Sequence, residues 1–288
     1  MKRRTNMTNE RTTRLRAMLN TDGMVVAPFC LNALHAKIAE SVGFKAVYMT
    51  GSGTSAEHGF SDVGLLTQTE MVANARYIAN AVDVPVIADC DTGYGNAINV
   101  HRAVQEYESI GVSGIHIEDQ AFPKKCGFFA GKDLIPMEEH VQKVRAALDA
   151  RKDKDFVIIA RTDALAVNGW EDTIRRCKAY YAAGADLVFV DGIKTKEDLA
   201  TCAKEMGDLP KVFNGADPVA TTSEVADLGF KLMLAGYTLT VVYDAVKRSM
   251  TELRDTGAIS TPQYRTEIAD LLGLQDIYAM EDKYKTRV

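Results

Sequence analysis

The sequence predicts a closed (β/α)8 TIM barrel, and three observations carry that prediction. Eight apolar runs of strand length alternate with stretches of helical length from about residue 24 to residue 250. The runs are almost continuously hydrophobic, as parallel strands are when both faces of the sheet are covered. No glycine-rich dinucleotide turn follows them, which favours a closed barrel over an open doubly wound sheet.

Taken in order, the expected strands are Met24–Phe29, Lys45–Thr50, Val84–Asp89, Gly114–Glu118, Phe156–Thr162, Asp186–Asp191, Lys211–Asn214 and Lys231–Leu234. Between them, Leu34–Val42, Glu70–Val82, Val100–Ile110, Glu138–Ala150, Trp170–Ala183 and Lys196–Met206 repeat apolar residues at helical spacing. Three of these helices run into Ser41-Val-Gly43, Ser109-Ile-Gly111 and Ala182-Ala-Gly184 just before a strand. Glycine there takes the left-handed cap conformation at little steric cost. The polar, basic residues 1–22 read as an extension with a short helix around Arg11–Leu19. After Asp255 come a turn region, Thr256–Pro262, an amphipathic stretch, Tyr264–Leu274, and a polar tail. The expected organisation is one barrel domain over 1–288, with a C-terminal helical segment at 256–288 that packs on its own barrel or reaches into a neighbour. A length of 288 residues suits this, since such barrels use about 250.

Composition narrows the function. A net charge of −5 without a basic stripe argues against nucleic acid as a partner. The longest apolar runs are far too short for a membrane span, and no signal segment opens the chain, so a cytoplasmic location is expected. Five cysteines without a CxxC pair read as reduced thiols, and the lack of a Cys/His cluster argues against zinc.

Catalytic groups of such barrels sit where strands end. Strand two ends in Tyr48-Met-Thr-Gly-Ser-Gly-Thr-Ser55, strand three in Asp89-Cys-Asp91, strand four in His116-Ile-Glu-Asp119, strand five in Arg161-Thr-Asp163, strand six in Asp191 and strand seven in Asn214. Unpaired carboxylates brought to one mouth repel one another, and a divalent cation removes that repulsion. Mg²⁺ takes one or two carboxylates directly and keeps several waters, with Mn²⁺ as a substitute. Asp89 and Asp91, two apart on a strand, are expected on one side of it, with Glu118 next door and Asp62 in the loop after strand two. Any one of these pieces alone could be a cap or a solvated loop; their shared position on successive units favours a site.

Cys126 stands apart from Cys30, Cys90, Cys177 and Cys202, which read as buried hydrophobes near strand ends and on helices. It lies in Phe122-Pro-Lys-Lys-Cys-Gly-Phe-Phe-Ala-Gly-Lys132, a connection with glycines that could move as a lid. Neighbouring lysines are expected to lower the thiol pKa, and the thiol could protonate a substrate carbanion.

These motifs resemble the isocitrate lyase/phosphoenolpyruvate mutase superfamily. The matching pieces are Tyr48–Ser55, Asp62, Ala88–Asn96, Gly114–Gln120, Pro123–Gly127 and Ala160–Ala164, in this order over most of the chain. The resemblance implies Asp89 as direct metal ligand and Asp62, Asp91 and Glu118 in the water-mediated shell. It implies that Ser52, Gly53 and Arg161 hold a 2-oxo acid and that Tyr48 and His116 lie near the reacting centre; Asn214 at the end of strand seven, and Gly127 and Phe128 on the loop, are expected as further substrate contacts. It also implies a homotetramer.

The loop cysteine is similar to that of the superfamily's carbon–carbon lyases, in which an alkoxide collapses to a 2-oxo acid and the cysteine protonates the departing carbanion. The lyases for tricarboxylic substrates have histidine after Cys-Gly; here Phe128 and Phe129 follow, and Asp191 stands where glutamate is usual. An aromatic pair would desolvate a carboxylate without pairing it, so a substituted malate such as 2,3-dimethylmalate is expected ahead of 2-methylisocitrate. The alternatives are a phosphonopyruvate or phosphoenolpyruvate mutase or hydrolase, an oxaloacetate decarboxylase, or a barrel that only binds a metabolite.

Overall fold

The computed structural model describes residues 2–262 and 264–285. The chain begins with α1 (Lys2–Leu19), β1 (Val25–Cys30), α2 (Ala33–Ser41), β2 (Val47–Met49), α3 (Gly51–Glu57) and α4 (Gln68–Ala81). It continues through β3 (Val86–Asp89), α5 (Ala97–Ser109), β4 (Gly114–Glu118), α6 (Met137–Ala150), β5 (Val157–Thr162), α7 (Ala164–Val167) and α8 (Trp170–Ala182). Then come β6 (Leu187–Val190), α9 (Lys196–Met206), β7 (Lys211–Gly215), α10 (Thr222–Asp227), β8 (Leu232–Ala235), α11 (Thr238–Thr256), α12 (Arg265–Leu271) and α13 (Leu274–Tyr284). The eight strands pair in sequence order, all parallel, and β1 closes on β8. The barrel is the one the sequence predicts.

Its registers bring the chemistry together: Asp89 lies beside His116, and Glu118 beside Arg161. Gly43, Gly111 and Gly184 take φ of 101°, 88° and 109°, the left-handed caps expected of them.

Three expectations need correction. The N-terminal extension is an 18-residue helix, not a short one. Its Leu15 and Leu19 are buried among Val25, Val157, Leu187, Val212 and Leu232, so α1 plugs the barrel at the strands' amino ends. The tail beyond Leu274 is helical as α13, because its polar residues alternate with Ile277, Tyr278 and Met280 at helical spacing. Asp91 is not on a strand: β3 ends at Asp89, and Asp91 takes a left-handed φ of 45° in the turn that follows.

Residues 238–284 are built differently from the barrel. Neither α11, α12 nor α13 has a buried residue, and Tyr243, Val246, Met250 and Leu253 form an exposed stripe along α11. Among the described residues, no helix is long and apolar enough to cross a membrane.

Candidate active site

The strands' carboxyl ends deliver six buried carboxyl groups, Asp62, Asp89, Asp91, Glu118, Asp163 and Asp191, against three buried cations, Lys124, Lys132 and Arg161. Arg161 is the hub. Its Nε lies 3.0 Å from Asp163 and 3.4 Å from Glu118, and its Nη2 lies 3.3 Å from Asp191. The guanidinium also stands over the Phe189 ring, 5.3 Å from its centroid. Burial alone would raise the pKa of Asp163, but Arg161 outweighs it and, with Lys132, brings it down to about 2.

Asp89 accepts hydrogen bonds from the Gly51 amide at 3.1 Å and the Asp91 amide at 2.9 Å. Tyr48 Oη lies 2.8 Å from His116 Nε2, while His116 Nδ1 faces Asp89 at 3.7 Å. Complete burial drives the imidazole pKa down to about 4, so His116 is neutral at pH 7. Tyr48 and His116 are therefore one hydrogen-bonded unit beside Asp89.

The four carboxylates expected to hold metal are not gathered into one cage. Among the described residues, no three His, Cys, Asp or Glu side chains converge closely enough to hold an ion. Lys124 instead spans two of them, 2.5 Å from Asp62 and 2.7 Å from Asp91. Its ammonium is a stand-in for cationic charge at that spot. The donor set nevertheless fits a hard divalent ion: every candidate ligand atom is oxygen, the six carboxyls at this mouth outnumber its three cations, and Glu118 Oε1 is buried with no hydrogen-bond partner. Burial pushes the Asp91 carboxyl up to about 6, and more of the positive charge that Lys124 supplies would lower it again.

Cys126 differs from its expected state. The loop is docked, not open: the Cys126 amide donates to Asp62 O at 2.8 Å, and the side chain is only 9% exposed. Burial raises the thiol to about 11, outweighing the lysines that were expected to lower it. The group is thus a thiol at pH 7, the form a proton donor requires. Lys124 and Lys132 pin the loop at either side of it, the latter by a 3.0 Å pair with Asp163 and a 2.7 Å bond to Gly127 O. The sequence reading missed both lysines as loop anchors. Two lysines flanking a loop above several carboxylates are the signal that could have revealed them.

Thr50 caps α3, and its hydroxyl takes the Gly53 amide at 3.3 Å and lies 3.0 Å from Ser52 Oγ. Ser52 faces the polar cavity; Gly53 instead permits close packing, since a Cβ there would lie 2.5 Å from Thr50 Cγ2. Gly127 sits so tightly on Asp191 that a Cβ would lie 2.1 Å from its Oδ2. Asn214 Nδ2 donates to the other oxygen of Asp191 at 3.0 Å. Phe128 stacks near Tyr237, with ring centroids 5.7 Å apart. Ser52, Tyr48, Asp62, Asp89, Cys126, Gly127, Phe128, Arg161 and Asn214 all line one cavity. Behind it, Asp119 accepts from Thr162 Oγ1, the Asp163 amide, Tyr180 Oη and Arg176, fixing the end of β5 that carries Arg161.

A closed parallel barrel with an arginine-centred, carboxylate-rich mouth and a thiol loop above it defines a class of enzyme for small anionic acids. The chain belongs to the phosphoenolpyruvate phosphomutase family, whose model matches residues 15–254, within the isocitrate lyase/phosphoenolpyruvate mutase superfamily. It is 42% identical over 284 residues to a 2,3-dimethylmalate lyase of Eubacterium barkeri, covering 95% of this chain and 98% of the relative. Its fold matches an oxaloacetate acetylhydrolase in complex with 3,3-difluorooxalacetate with a TM-score of 0.92, 35% identity and coverage of 97% and 99%. A phosphonopyruvate hydrolase in complex with oxalate and Mg²⁺ matches with a TM-score of 0.88, 33% identity and coverage of 96% and 99%.

Proposed function

We propose that this chain is a Mg²⁺-dependent carbon–carbon lyase that cleaves a substituted malate of the 2,3-dimethylmalate type to pyruvate and a monocarboxylic acid. The observation that carries the reading is Cys126: a protonated, buried thiol held over the same cavity as Arg161, Ser52 and Asp89. The likeness to a 2,3-dimethylmalate lyase over almost the whole chain supports it.

Asp89 would hold the ion directly, with Asp62, Asp91 and Glu118 acting through water, and the ion would stabilise negative charge developing on substrate oxygen. Ser52 and Arg161 bind and orient the end that becomes the 2-oxo acid. The C2 hydroxyl gives its proton to Tyr48, whose own proton passes to neutral His116, facing Asp89. The C2–C3 bond breaks, its electron pair goes to C3, and the Cys126 S–H delivers a proton there. His116 then returns its proton to Tyr48 as Tyr48, which lines the same cavity as Cys126, gives one up to restore the thiol, so a hydroxy diacid becomes a 2-oxo acid and a saturated acid with nothing left over. The docked loop excludes water that would otherwise compete for the carbanion.

The test is a screen of 2,3-dimethylmalate, 2-methylisocitrate, isocitrate, oxaloacetate and phosphonopyruvate with and without Mg²⁺, identifying every product. Pyruvate and propionate in equal amounts from the first compound are expected. Phosphate from phosphonopyruvate, or CO₂ from oxaloacetate, with no cleavage of the malates would overturn the reading. The bare apolar stripe of α11 also supports a homotetramer in which α11–α13 cover a neighbouring barrel. Light scattering at micromolar concentration should give four times the chain mass; a monomer would remove this part.

A further inference from the structure

Against the polar cavity lies a larger one of about 490 Å³, compared with about 30 Å³ around Asp89 and Arg161. The two share Ser52, Asp62, Cys126, Phe128 and Tyr237 in their walls, so they adjoin at the thiol. The outer cavity is bounded by Ala56 and Phe60 on one side, Phe128 and Phe129 on another, and Leu239 at the start of α11. Phe60, Phe128 and Phe129 are 47%, 44% and 45% exposed, an unusual concentration of bare aromatic rings at one place. No lysine, arginine or histidine stands in this wall; its charged members are Asp62, already paired with Lys124, and Asp217.

That chemistry selects a ligand. A second carboxylate entering the cavity would lose water, meet rings and an acid, and find no cation. A hydrocarbon chain would release water from the same rings, with Ser61, Thr240 and Asp217 the polar groups at the wall that it must run past. A lone methyl group fills little of a space this large. We propose that this cavity is a subsite for an uncharged alkyl chain of several carbons, carried on the substrate carbon that faces Cys126. The preferred substrates are then 2-methylmalates bearing at C3 an alkyl group longer than methyl. This rests on the lyase reading and narrows its substrate class.

The experiment uses the full-length chain with Mg²⁺ and a series of 2-methylmalates carrying methyl, ethyl, propyl or butyl at C3. 2-Methylisocitrate serves as the anionic counterpart, and pyruvate and the paired saturated acid, a diacid in that one case, are measured. Burial of each methylene should raise kcat/KM by about fourfold, with 2-methylisocitrate the poorest member. Ala56→Trp, which fills the cavity, should flatten the rise, lowering the butyl compound far more than the methyl one. A fall in kcat/KM from methyl to ethyl in the unaltered protein would overturn the subsite, as would a flat series, the result expected if a second copy of the chain covers this wall. Pyruvate from no member of the series would overturn the lyase reading and the inference with it, whereas pyruvate from the dimethyl compound alone would sink only the subsite.

Discussion

The two ends of the barrel are made from the same eight strands and obey opposite rules. At the amino ends, Leu15 and Leu19 of α1 meet Val25, Val157, Leu187 and Leu232 in an apolar contact, with charge kept to its rim, where Arg16 pairs with Asp186 and Arg11 donates to Ala79 O and Val82 O. At the carboxyl ends, the same strands finish in Asp89, Glu118, Arg161 and neighbouring Asp191, buried ions that stabilise little once their desolvation is counted. The closed end holds the fold and the open end spends stability on chemistry. A substitution at one end should therefore be nearly silent at the other.

The largest effect belongs to the open end. Asp89→Ala should abolish metal-dependent turnover, because the residue both faces the Tyr48–His116 pair and is the expected direct ligand. Circular dichroism and the thermal midpoint should remain those of a folded barrel. Substantial activity in this variant, or indifference of the native enzyme to a chelator, would show that the charge balance at the mouth has been misread.

Leu15→Ala tests the closed end. Leu15 is fully buried, so its truncation should cost about 2–5 kcal/mol in unfolding free energy. Activity per folded molecule should stay within about twofold, since Leu15 meets Tyr48 and Phe189 only through the layers of the barrel core between them. A large drop in kcat with an unchanged unfolding midpoint would mean the ends are coupled.

Cys126→Ser should lower kcat by about 10²-fold, the usual scale for a lost general acid, with little change in binding of the 2-oxo acid. Its ionisation sharpens the same point. Burial disfavours the thiolate, so the folded protein's thiol pKa is raised, to about 11. Alkylation by iodoacetamide should therefore accelerate with a midpoint near pH 11, and the proton donor should stay a neutral, protonated thiol through pH 9. A midpoint near pH 8 would indicate an exposed loop and an unshifted thiol.

The sequence made the barrel legible because buried parallel strands and helical spacing are local signals, and strand ends could be counted from them. It placed Asp89, His116, Glu118 and Arg161 at the mouth for that reason. What escaped depends on contacts distant in the chain. Lys124 meets Asp62 across sixty-two positions, and the lysines of the loop hint at an anchor without naming its partner. Lysines near Cys126 in sequence point to a lowered thiol pKa, whereas packing of the loop makes desolvation the dominant influence. The turn at Asp91 is not legible in the sequence, because its left-handed φ leaves no mark on the alternation of side chains. The exposed helices α11–α13 are a different case, since an apolar stripe was legible and what it packs against is not a property of one chain.

The smallest expected effect is also the one that separates two kinds of surface within the mouth. Phe128 lies on the loop directly after Gly127, near Tyr237 and between the polar and apolar cavities. In place of its ring, Phe128→His puts an imidazole that can donate a hydrogen bond to a carboxylate. A carboxylate branch such as that of 2-methylisocitrate, which the phenyl ring leaves desolvated and unpaired, should gain; a methyl branch, which loses an apolar neighbour, should not. The ratio of kcat/KM for 2-methylisocitrate over 2,3-dimethylmalate should rise by about tenfold, the lower end of what one hydrogen bond to a charged group supplies. The side chain is nearly half exposed, so the fold should tolerate the exchange and the unfolding midpoint should barely move. If Phe128 only packs the docked loop, the substitution loosens that loop for every substrate alike. Equal losses on both compounds would then remove Phe128 from substrate choice while leaving Cys126 and the acidic mouth where they are.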